Sequence, residues 1–173
     1  RYLAIIASAA ILASCVPIPP STPMQNGPKV AAPPQWVDTA IAIPVIRRAQ
    51  LTPKLFKQLT EVNTRVNRDT KYREDSDLYG QVDFWTIAVN EGDCEDYALA
   101  KRQALLQLGW PLDSLSLAVV RDETGAGHAV LTVDTSEGTY VLDNRYLRVM
   151  AWQTLPYEWI MRQGPNNTWV TIT

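Results

Sequence analysis

This 173-residue chain has little cysteine, little histidine and no surplus of basic charge: two Cys, one His, and 16 Lys and Arg against 18 Asp and Glu. The net charge is −2 and the pI about 5.4. No excess of cations exists to neutralise a phosphate backbone, so a nucleic-acid partner is excluded. The basic residues are scattered, and pairs such as Arg47-Arg48 and Lys101-Arg102 read as solvated surface. There is no internal repeat. No apolar run reaches the roughly 20 residues that span a bilayer. The run from Tyr2 to Ala13 has instead the length of the apolar region of a secretory signal, with only Arg1 before it and no initiator Met, so the signal's start is expected to be missing.

The shortage of thiols sharpens the question of what the two are for. Leu12-Ala13-Ser14-Cys15 places small residues before a cysteine and resembles the bacterial lipobox, in which that Cys becomes the acylated first residue. By the same resemblance, Val16 in place of Asp favours the outer membrane. Residues 1–14 are therefore expected to be a signal peptide and Cys15 a lipid anchor at the periplasmic face of the outer membrane. A soluble periplasmic protein with an incidental Cys15 is the alternative. With Cys15 acylated, Cys94 has no disulfide partner, and a lone thiol in an exported protein asks for a function.

Apolar residues, at 46%, are plentiful enough for a packed core. Seven of the 12 prolines fall within residues 16–34, which predicts an extended tether over 15–34 and a folded domain over 35–173. A helix is expected from Thr52-Pro53 to about Asn67 or Arg68, with Leu55, Leu59, Val62 and Val66 on one face. Residues 69–92 read as a long structured loop. A second helix starts at Asp93, an N-cap with Asp96 three residues on, and ends at Gly109 before Trp110-Pro111. Lys101 and Arg102 lie later in it, where they suit the dipole better than in the first turn. Period-two patterns then predict strands over 114–121, 128–133 and 139–142, the last two joined through Ser136-Glu137-Gly138, with further strands near 149–152 and 158–162. Helices followed by an antiparallel sheet make the fold class α+β.

Cys94 falls at the first position of the second helix, where free backbone N–H groups and the dipole favour a thiolate and could hold an oxyanion. Asp93, Glu95 and Asp96 oppose this by repulsion, unless a cation compensates; calcium suits such oxygens. His128 is the only histidine, so an imidazole base must be this one. If the loop between its strand and the next holds an even number of residues, Asp143 lies on the same face, directly opposite or diagonal, where it could set the His tautomer.

Gly92-Asp93-Cys94-Glu95-Asp96-Tyr97-Ala98, His128-Ala129-Val130-Leu131 and Val141-Leu142-Asp143-Asn144, together with Val66-Asn67-Arg68, Tyr72, Tyr79-Gly80 and Asp83-Phe84-Trp85, resemble the bacterial transglutaminase-like cysteine proteinases. The resemblance covers roughly residues 50–163. It implies a papain-like α+β fold, a Cys94–His128–Asp143 triad, a protein substrate and no cofactor for the chemistry itself. In the branch that releases large surface adhesins and so controls biofilm, the acidic residues flanking the Cys bind calcium; those positions here are Asp93 and Glu95. The stretch between Trp85 and Cys94 is shorter than in that branch, and the Trp159-Ile160-Met161-Arg162-Gln163 tail resembles another.

Three readings compete with a peptidase. Cell-wall peptide hydrolases usually follow Asp-Cys with Ser-Gly, whereas this chain has Glu95-Asp96. A transglutaminase proper would use an amine in place of water. In a tethered binding module, Cys94 would be a small apolar core residue.

Overall fold

The computed structural model describes residues 17–33, 48–164 and 168–173. The expected signal sequence, Cys15 and the expected domain start at Gln35 lie outside the described residues.

Helix α1 spans Pro53–Asp69. The Thr52 hydroxyl accepts the Leu55 N–H at 3.2 Å and Pro53 fills the first turn, where its missing N–H costs nothing. Its buried stripe is Phe56, Leu59, Val62, Asn63 and Val66; Leu55, expected on that face, sits at its edge. The polar loop that follows contains β2 (Lys71–Tyr72), the single turn α2 (Asp75–Leu78) and β3 (Glu91–Gly92), which pairs parallel with β2.

Helix α3 spans Cys94–Gln107. It closes in a Schellman arrangement: the Gly109 N–H reaches Leu106 O and the Trp110 N–H reaches Leu105 O, with Gly109 at φ +86°. The charged part of the reading needs correction. Asp93 stands at the N-cap but its side chain makes no capping bond. Asp96 turns inward, with Oδ1 accepting the Thr86 N–H at 2.8 Å. Lys101 is not near solvent at all but fully buried.

The remaining elements are β4 (Leu115–Arg121), β5 (Gly127–Thr135), β6 (Gly138–Leu142), β7 (Met150–Ala151), β8 (Glu158–Gln163) and β9 (Trp169–Ile172). With β1 (Asn26–Val30) they form one sheet in the order β1-β9-β8-β4-β5-β6-β7, antiparallel throughout. Alternation sorts the core. Leu117, Leu131, Val133, Tyr140 and Leu142 face α1 and α3, whereas Ala118, Val120, Val130 and Val141 face Leu155, Tyr157 and Trp159.

Residues 17–30 are not a free spacer. Thr22 O accepts the Thr139 N–H, Pro19 O accepts the Tyr140 hydroxyl at 2.8 Å, Met24 is buried, and β1 pairs with β9. Extended, proline-rich backbone offers unpaired carbonyls, and an edge strand is where Pro28 is tolerated. Gly138, at φ +116°, lets this segment pass: a Cβ there would lie 2.6 Å from the Ser21 backbone.

Candidate active site

The β5–β6 hairpin has the even, two-residue loop Ser136-Glu137, with Thr135 opposite Gly138 and Leu131 opposite Leu142. His128 and Asp143 therefore share a face on the diagonal. His128 Nε2 meets Asp143 Oδ1 at 2.9 Å, and both side chains are buried. An ionised carboxylate only accepts, so the imidazole proton sits on Nε2 and Nδ1 is left as the base. Burial raises the Asp143 pKa. The His128 bond and charge, the Arg145 N–H at 2.9 Å and the Tyr157 hydroxyl at 2.6 Å outweigh that and hold it below the ordinary carboxylate range.

Tyr157 has no signal in the sequence beyond following Pro156. It bonds Asp143 Oδ2 and sets its ring edge-on to His128, 5.7 Å between centroids. Asn67 of α1 completes the support by donating to Asp143 O at 2.8 Å.

Cys94 reaches this pair at an open corner of the sheet. Because β6 stops at Leu142, opposite Leu131, the Ala129 N–H is free to donate to Cys94 Sγ, at 3.4 Å. The thiol itself donates to Glu95 Oε2 at 3.2 Å, not to the imidazole. Burial first, then the Glu95 carboxyl beside it, lift the Cys94 thiol well above its ordinary range; the Ala129 N–H pulls the other way. The helix N-terminus alone therefore does not make a thiolate here.

The reason is an acidic cluster larger than the flanking pair. Asp93, Cys94 and Glu95 present donor atoms within 4.8 Å of one another, as do Asp75, Asp83 and Glu95, and Asp75, Asp93 and Asp96. Asp75, Asp93, Glu95 and Asp96 are all buried. Asp75 Oδ2 accepts the Phe84 N–H, but Asp75 Oδ1, Asp93 Oδ1 and Asp96 Oδ2 are buried with no hydrogen-bond donor among the described residues. Burial, with the neighbouring Asp93, pushes Glu95 up to about 10. Burial pushes Asp96 up to about 7 and raises Asp93 and Asp75 as well. Orphaned buried carboxylate oxygens in such a group fit a hard divalent cation with oxygen ligands. Asp75 and Asp83 were visible in the sequence only as part of an Asp-rich loop.

Tyr72, also singled out by sequence, is half exposed beside the cluster, its hydroxyl donating to Glu74 Oε1 at 2.6 Å. Burial, the Glu74 bond and the nearby Cys94 and Asp93 all raise its pKa.

The sequence model of the family described as "Bacterial transglutaminase-like cysteine proteinase BTLCP" matches residues 39–173. No curated protein matches the chain. Among solved structures, calcium-bound LapG of Legionella pneumophila is similar, with TM-score 0.59 and 23% identity over 70% of this chain and 71% of that one. The EGTA-treated form of the same protein gives TM-score 0.58 and 24% identity over 72% and 70%. These likenesses support the papain-like fold.

Proposed function

Because this chain belongs to the bacterial transglutaminase-like cysteine proteinases and is a cysteine peptidase, we propose that it cleaves protein amide bonds through a thioester on Cys94, with His128 as base and acid and Asp143 as its anchor. One observation carries the reading: the Cys94 sulfur, at the first residue of α3, accepts the backbone N–H next to a histidine whose far ring nitrogen is held by a buried carboxylate. The thiol proton passes to His128 Nδ1 and the sulfur adds to the carbonyl carbon. The proton then leaves on the amine as the C–N bond breaks. Water, deprotonated by the same nitrogen, hydrolyses the thioester. Free N–H groups in the first turn of α3 are placed to stabilise the oxyanion.

Asp93 and Glu95, with Asp75, Asp83 and Asp96, would hold a calcium ion. Bound there, it would supply positive charge that offsets the carboxylates raising the Cys94 pKa. A relative in fold is known in calcium-bound form, and the orphaned oxygens support the same use here.

The leader-like run and Leu12-Ala13-Ser14-Cys15 support export and acylation at Cys15, placing the enzyme on the periplasmic face of the outer membrane. Metabolic labelling with a tritiated fatty acid tests this: label on the wild type and none on Cys15→Ser.

The activity is tested with calcium and a proteome-derived peptide library, reading new termini by mass spectrometry. New termini with the wild type and none with Cys94→Ala support hydrolysis. Products carrying an added primary amine, in place of new termini, would make the enzyme an amine transferase.

A further inference from the structure

Helix α1 and strand β5 run between the same two ends of the fold. The start of α1 lies beside the β5–β6 turn: the Leu51 N–H donates to the Ser136 hydroxyl at 3.0 Å, and the Ser136 N–H donates to Ala49 O at 2.9 Å. The last turns of α1 reach the active site, where Asn67 donates to Asp143 O at 2.8 Å. From Thr52 to Asn67 the helix rises about 22 Å. Strand β5 gives the same span in the other direction, about 23 Å from Thr135 at the turn to His128. The catalytic residues therefore stand at one end, and the β5–β6 turn with the start of α1 at the other.

The N-terminal segment docks at the turn end. Ile18 packs against the core that holds Phe56 and Tyr140, Pro19 O accepts the Tyr140 hydroxyl at 2.8 Å, and the Ser21 hydroxyl donates to Thr139 O at 2.5 Å. Thr139 and Tyr140 follow the turn directly. Ile18 comes three residues after Cys15, and three residues reach at most about 11 Å. An acylated Cys15 stays at the lipid surface, so the fold begins within that reach of it. A free spacer over residues 15–34 would let the domain turn any side to the bilayer; so short a leash leaves it the turn end. Exposed Arg48, Lys54 and Lys57 lie there, against Glu137 and Glu61, the last paired with Lys57 at 3.3 Å. That small cationic excess suits anionic headgroups.

We infer that the turn end of the fold, comprising residues 17–21, the β5–β6 turn and the start of α1, lies against an anionic phospholipid surface and holds the catalytic residues about 20 Å away from it. The inference deepens the acylation reading and rests on it. It also bounds the substrate: the segment that is cut must project from the bilayer by about that distance, and a peptide bond at the headgroups is out of reach.

The test uses the acylated full-length protein carrying Cys94→Ala, so that one introduced thiol takes a fluorophore. Gln50→Cys labels the exposed turn end, and Ala126→Cys labels an exposed position two residues before His128. Intact mass first reads the acyl chains on Cys15. Each protein is then reconstituted in phosphatidylethanolamine–phosphatidylglycerol vesicles whose headgroups carry a nitroxide, a quencher that acts only on close approach. The Gln50→Cys probe is expected to lose most of its emission and the Ala126→Cys probe to keep it. Two bright probes on vesicle-bound, acylated protein would overturn the docking and restore a free spacer. A quenched Ala126→Cys probe would overturn the orientation. An unmodified Cys15 would overturn the acylation reading, and the docking with it, before any vesicle is added.

Discussion

Tyr157 and Asp143 share a 2.6 Å hydrogen bond, made to the carboxylate oxygen that His128 does not use. Each oxygen of the Asp143 carboxylate is thus engaged, one by the imidazole and one by a phenol. Tyr157→Phe keeps the ring against His128 and removes only the hydroxyl, leaving Oδ2 unpaired. The expected result is a fall in kcat of roughly tenfold, about 1.4 kcal/mol, with KM nearly unchanged. A raised KM at constant kcat would make Tyr157 a substrate contact instead.

The acidic cluster predicts an unusual stability profile. Glu95, pushed up to about 10, and Asp96, to about 7, hold protons in the fold that the unfolded chain releases above its ordinary carboxylate range. The folded state therefore binds more protons than the unfolded one between pH 5 and 7, and stability falls as pH rises through that window. Thermal melts in chelator should show Tm decreasing from pH 5 to 7, and calcium should flatten the slope. A Tm rising with pH in chelator would show that these groups are already ionised in the fold.

The same cluster extends beyond the residues flanking Cys94. Asp75→Asn is expected to weaken calcium binding about tenfold in calorimetry, comparable to Glu95→Gln, because it removes an oxygen from the shared group. Asp77→Asn, in the same short helix but exposed, should leave the affinity unchanged. Equal affinities for Asp75→Asn and wild type would remove Asp75 from the site.

The N-terminal segment is part of the folded unit. Met24 is 3% exposed, and its backbone N–H donates to the Thr139 hydroxyl at 3.0 Å. Met24→Ala should cost about 2 kcal/mol, and a chain beginning at residue 35, without β1, should melt lower still. Unchanged melting of the shortened chain would restore the picture of a free spacer.

The sequence revealed most where local rules act alone. The Thr52-Pro53 start of α1, the Gly109 stop of α3 and the even hairpin loop between β5 and β6 are short-range signals, and the diagonal placement of His128 and Asp143 follows from that loop's parity. Strands β1 and β9 were missed because β1 is proline-bearing and exposed along most of its length, and pairs across nearly the whole chain. Lys101 and Arg102 read as surface because adjacent charges usually are; Lys101 is instead fully buried, and Arg102, partly buried, donates to Gln163 Oε1 at 2.9 Å. Tyr157 and Asp75 converge on the site through long-range packing and carry no spacing that announces it.

The most direct test of the triad is the pH dependence of Cys94 alkylation by iodoacetamide, read on the Cys94 peptide by mass spectrometry with calcium present, in the wild type and in His128→Ala. The account predicts that wild-type Cys94 reacts well below the free-thiol range of about 8.5, and that His128→Ala and added chelator each remove that reactivity. Equal profiles in the two proteins, or a wild-type thiol inert across the range, would contradict it and leave Cys94 as a buried core residue.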